Sequence, residues 1–152
     1  MNILIDKKEL SSLIPHAGTM CLNDAVLSWD KESLICIADT HQEKSNPLAK
    51  DHKLSSVHAI EYCAQAMAIH GGLLAREQGN KLAPGYLAAV RDVKLKYEFL
   101  DEIKSTLYIS VKQLVAQAGN LIYEFIMYFL QGDDQITIAK GRATVMQMVE
   151  DK

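Results

Sequence analysis

Residues 57–72 read VHAIEYCAQAMAIHGG, and the fold follows from how this run is buried. Small and apolar side chains fill most of its positions, so it forms a helix that is apolar on most sides and must be wrapped by the rest of the chain. Ser55 or Ser56 caps its start and Gly79 ends it, which sets the helix at about residues 57–78. Polar groups interrupt the apolar surface in one place. At 100° per residue, His58 lies about 60° and Gln65 about 40° from Glu61, all on one side. His70 falls about 180° round, on the opposite face. Burying a carboxylate is costly without partners. The stripe therefore meets solvent, is satisfied by amides of the loop over 41–56, or serves a site.

On either side of this helix the pattern is different. Before it, DKKELSSLIPHAG suggests a short helix capped by Asp6 and stopped by Pro15. CLNDAVLSWD and ESLICIADT then read as two strands joined at a tight turn around Asp30 to Glu32. HQEKSNPLAKDHKLSS is polar and without period, a loop in which His41 and His52 are expected to be solvated. After the helix come four segments rich in β-branched and aromatic residues, read as a four-strand antiparallel meander. Leu107, Ile109 and Val111 face one way along the second of them, with turns at 118–120 and 132–134. His70, followed by Gly71 and Gly72, is expected to pack against a backbone carbonyl, with the glycines admitting a close strand. The arrangement is α+β: a curved antiparallel sheet wrapped around one long helix, the hot-dog architecture, as a single domain over 1–152. Such sheets pair edge to edge, which removes an exposed edge strand.

Composition narrows the function. The 152 residues are 49 % hydrophobic and 23 % charged with a net charge of −3, typical of a globular chain and no basis for binding nucleic acid or an anionic membrane. Cys21, Cys36 and Cys63 sit among apolar neighbours with no CxxC spacing and are expected to be reduced and buried. No apolar run reaches the roughly 20 residues of a membrane span, and the N-terminus does not read as a signal peptide, so the expected compartment is the cytoplasm. No phosphate-cradling glycine loop or metal-ligand spacing is present, so no cofactor and no metal is expected. His16, in LIPHAGTM between Pro15 and Gly18, either projects into a cleft or caps its turn.

IPHAGTMCLNDAVLSWD resembles the opening of the bacterial β-hydroxyacyl-acyl-carrier-protein dehydratases of the FabA/FabZ type, and SSVHAIEYCAQAMA resembles their central helix. GYLAAVRDVKLKYEF and GRATVMQM are similar to later strands, in register from about residue 12 to 149. Within that group the chain most resembles the ApeP-like dehydratases associated with aryl-polyene gene clusters. The resemblance implies removal of water from a 3-hydroxyacyl thioester, tethered to an acyl carrier protein, to give the trans-2-enoyl thioester. It implies Glu61 as the acid that handles the hydroxyl. The family's loop histidine, about 14 residues before that acid, is replaced here by Asn46-Pro47-Leu48. The base then falls to His16 or His58, or to a histidine of another hot-dog subunit, in a homodimer or heterodimer. Gln65, Asn46 and Pro47 are assigned to substrate binding. A carrier protein is acidic, so a basic entrance is expected. Lys94 and Lys96 share a face by strict alternation, with Arg91 on the other. Two other readings stand beside this one: a hot-dog thioesterase with a helix-borne carboxylate, and a non-catalytic acyl-binding partner of a competent dehydratase.

Overall fold

The computed structural model describes residues 2–14, 20–83 and 85–148. Helix α1 (Lys7–Ser11) starts at Asp6, whose carboxylate accepts from the Glu9 amide at 2.9 Å. Pro15, its expected stop, lies outside the described residues, as does His16. Strands β1 (Ala25–Trp29) and β2 (Ser33–Ala38) form the expected hairpin. Asp30 Oδ1 closes its turn by accepting from the amides of Glu32 and Ser33 at 2.9 and 2.8 Å. A 3-10 turn over Ser56–His58, capped by the Ser55 hydroxyl, leads into helix α2 (Ala59–Glu77). Four long strands follow: β3 (Gly85–Leu95), β4 (Leu107–Gln117), β5 (Asn120–Gln131) and β6 (Asp134–Gln147).

The six strands among the described residues join one antiparallel sheet in the order β1-β2-β4-β5-β6-β3. The expected four-strand meander is therefore only three strands long. β4, β5 and β6 are joined by tight turns in which Ala118, Gly119 and Gly132 take positive φ, whereas β3 lies at the far edge, beside β6. The reason is the connection after β3. Residues 96–106 run alongside Leu54–Ser56, ahead of α2, with a 3-10 turn at Leu100–Glu102 and a bridge between Phe99 and Ser55, so β4 is delivered to β2 instead.

The sheet's concave face wraps α2. Cys36, Ile109, Met127 and Ala139 lie in one row across β2, β4, β5 and β6, all fully buried. The next row is Leu34, Val111, Phe125 and Gly141. Tyr62, Cys63, Ala66, Ile69 and Leu73 of α2 close the same core. Each methylene buried this way contributes about 0.8 kcal/mol. The three cysteines are buried and free, and burial pushes the Cys36 and Cys63 thiols well up. Among the described residues, no helix is long and apolar enough to cross a membrane.

The loop before α2 is not the solvated segment its composition suggests. His41 is 3 % exposed, with Nε2 donating to the Ile103 carbonyl at 2.8 Å. The connection from β3 to β4 covers it, and that contact is 62 residues away in sequence. His52, as expected, is exposed.

Candidate active site

Helix α2 presents a stripe whose middle carries only small side chains. Glu61, Ala64, Ala68, Gly72 and Arg76 recur along it and line a cavity of about 880 Å³. Its other walls are Leu13 and Ile14 after α1, Tyr86 and Leu87 of β3, and Tyr123 of β5. The expectation that a strand approaches the paired glycines is replaced by two loops. A Cβ on Gly72 would meet the Leu13 carbonyl oxygen at 3.0 Å, and one on Gly71 would meet Leu82 at 2.9 Å.

Gln65 stands behind Glu61, one turn on and 2 % exposed. Its Oε1 accepts from the Leu22 amide at 2.9 Å and its Nε2 donates to the Met20 carbonyl at 2.7 Å. An amide proton and a carbonyl oxygen each have one role, so these two bonds fix which end is nitrogen. The second Nε2 hydrogen reaches Glu61 Oε1 at 3.4 Å. Gln65 is thus anchored by the backbone at residues 20–22. Glu61 itself is half-buried at the cavity wall, with an interaction beyond that to Gln65. His58 is half-buried at the helix start and makes no side-chain cap bond. Three residues before Glu61, it shares the carboxylate's side of the helix.

The other named residues lie apart from this cavity. Asn46 is buried within its own loop, donating to the Thr40 carbonyl and the Tyr62 hydroxyl and accepting from the Leu48 amide. Pro47 is exposed. A relay joins this loop to the helix. Asn46 donates to the Tyr62 hydroxyl, Tyr62 to Thr40 Oγ1 at 2.7 Å, and Thr40 to the Leu22 carbonyl at 2.6 Å. Burial pushes the Tyr62 phenol up to about 12.

His70 meets the expected carbonyl. Nε2 donates to the Asp30 carbonyl at 2.9 Å, which leaves Nδ1 to accept from the Tyr123 hydroxyl at 2.8 Å. Gln113 donates to the same hydroxyl at 3.2 Å. Burial, the largest cause, holds the His70 pKa below its ordinary value, partly opposed by the bond to Asp30. Tyr123 is a cavity-wall residue that sequence reading missed. A tyrosine in an alternating strand carries no signal of which partner sits beneath it.

Beyond the cavity, a bulge reshapes β3. Arg91 pairs with Arg142 and Lys94 with Lys140, so three steps on β3 oppose two on β6. Strict alternation fails there: Arg91 and Lys94 share a face, with Asp92 at φ 54° in the bulge. One row across the sheet reads Lys112, Glu124, Arg142 and Arg91. These four basic side chains on β3 and β6, and Lys112 on β4, are all exposed.

A family model described as ApeP-like, ApeP dehydratase, matches residues 8–152. By sequence, no curated protein matches the chain. Among solved structures, the dehydratase heterocomplex ApeI:P from Xenorhabdus doucetiae is similar at a TM-score of 0.80 and 20 % identity, covering 93 % of this chain and 91 % of that one. A hypothetical thioesterase with coenzyme A from Streptococcus pneumoniae TIGR4 is similar at 0.58 and 9 % identity, covering 84 % and 87 %. Zebra fish thioesterase superfamily member 2 is similar at 0.61 and 14 %, covering 93 % and 95 %. At these identities the structural likenesses show the hot-dog fold.

Proposed function

The chain belongs to the ApeP-like dehydratase family, and from that premise we propose that it dehydrates a 3-hydroxyacyl thioester delivered by an acyl carrier protein. An imidazole takes the C2 proton, the C3 hydroxyl leaves as water with a proton from Glu61, and the double bond forms between C2 and C3. The observation that carries this reading is a carboxylate on the cavity wall, followed along the helix by Ala64, Ala68 and Gly72, with Gln65 donating to it from behind. His16 and His58 are the candidates within this chain for the base. Nothing about Asn46 favours a substrate role over its loop bonds.

A second hot-dog subunit completes the reading. Among the described residues, strand β3 is an edge strand of 11 residues, with Tyr86 59 % and Val90 38 % exposed. The chain exposes 8975 Å², against about 7,700 Å² for a monomer of this length. The likeness to a heterocomplex supports a different hot-dog chain as the occupant, and that chain is then a further source of the base. The basic rows on β3 and β6 support an acidic carrier as the delivering protein.

Purified chain, alone and co-expressed with a neighbouring hot-dog subunit, is to be assayed with 3-hydroxyacyl carrier protein. An enoyl thioester is expected, and Glu61→Gln should lower its formation by roughly 10²–10⁴-fold with the fold intact. His16→Asn and His58→Asn, made separately, sort the two candidate bases. Release of free thiol and acid would instead establish a thioesterase. Full activity in Glu61→Gln would remove the catalytic role altogether.

A further inference from the structure

Helix α2 ends in a backbone reversal that turns the following loop back over its own side. Gly79 takes φ 74°, the Asn80 amide bonds the Ala75 carbonyl at 2.8 Å, and the Gly79 amide bonds that of Arg76 at 3.0 Å. The returning chain brings Leu82 onto Gly71, two turns before the helix end. The fit is close, since a Cβ on Gly71 would stand 2.9 Å from Leu82 Cδ1. Leu82 also borders two cavities. One is the 880 Å³ cavity of Glu61. The other, of about 310 Å³, is bounded on its far side by Leu74, Ala75, Gln113 and Ala116. Residues 80–83 line both.

We propose that Leu82, seated on Gly71, is the partition that sets how long an acyl chain the Glu61 cavity accepts. The inference rests on the dehydratase reading for its ligand class, a linear acyl thioester with its reacting carbons at Glu61. Ten residues of helix separate Glu61 from Gly71, about 15 Å along the axis, so a medium-length chain laid along the stripe meets Leu82. The stripe is open to it because Ala64, Ala68 and Gly72 project little or nothing. Removing the leucine side chain joins the small cavity to the large one. Adding a methyl at Gly71 pushes Leu82 off the helix, since the atom that must give is the end of a flexible side chain, and on this proposal it moves toward the large cavity.

The two changes act in opposite directions, which makes the test specific. Calorimetric affinities for 3-hydroxyacyl pantetheine thioesters, lengthened two carbons at a time, are to be measured on the chain with its partner subunit. For wild type, affinity should rise roughly fourfold per methylene and then stop rising at one length. Leu82→Ala should move that break to longer chains, with affinities below it unchanged, and Gly71→Ala should move it to shorter ones. A break that stays in place in both variants, or moves the same way in both, overturns the partition. Parallel turnover assays separate the two readings. A shifting break without enoyl product refutes the dehydratase and keeps the partition, whereas product formation with an immobile break does the reverse.

Discussion

A buried glutamine amide can be turned either way, and in Gln65 the backbone removes the choice. The Leu22 amide can only donate and the Met20 carbonyl can only accept. The remaining N–H is left for Glu61. Replacing Gln65 with leucine keeps the volume but strands both backbone groups in the interior. Gln65→Leu should cost about 1–3 kcal/mol, read as a lower urea midpoint. An unchanged midpoint would mean that water replaces the amide and that Gln65 does not anchor the site. The shared face of Glu61 and Gln65 was legible in the sequence, because helical spacing depends only on the helix. The partner of Gln65 was not, since residues 20–22 lie more than 40 positions away. His41 shows the same limit: its neighbours are polar, and its burial comes from Ile103.

Among the strands, alternation reads correctly until a bulge intervenes. It places Leu107, Ile109 and Val111 in the core, as observed. It fails at Arg91 and Lys94, where two residues of β3 stand opposite Gly141 alone. That glycine admits β3 and a core side chain together. A Cβ there would lie 2.8 Å from Phe125 Cζ and 3.1 Å from the Arg91 carbonyl oxygen. The carbonyl belongs to the paired backbone and cannot step aside. Gly141→Ala should therefore cost about 1–3 kcal/mol, measured by thermal or urea unfolding. A neutral result would show that the bulge relaxes freely. Gly141 is flanked in sequence by Lys140 and Arg142 and carries no sign of this role; only the pairing of β5, β6 and β3 reveals it.

For the molecule as a whole, two buried imidazoles link folding to pH. His41 and His70 both have pKa values held below the ordinary 6.5 chiefly by burial. The Asp30 carbonyl and carboxylate oppose this at His70, as Ile103 and Asp39 do at His41. As the pH falls the unfolded chain takes up these protons first. Their stabilising contribution is complete above about pH 6.5 and is lost as the pH falls through the folded-state values. Urea midpoints should be level near neutrality and decline through the histidine range, above the range where carboxylates titrate. His70→Gln should flatten part of the decline. A stability that rises on acidification would contradict the neutral, buried state of both rings.

The sequence alone determined the elements and the wrapped helix, because hydrophobic period and turn residues act within a few positions of each other. It also determined which helix face carries Glu61. Tertiary structure decided which strand takes the sheet edge, how a bulge turns Arg91 and Lys94 to one side, and what lies on the bare backbone of Gly71. Those outcomes rest on contacts between segments far apart in the chain, and a cavity is the space such segments leave between them. No local pattern encodes that space.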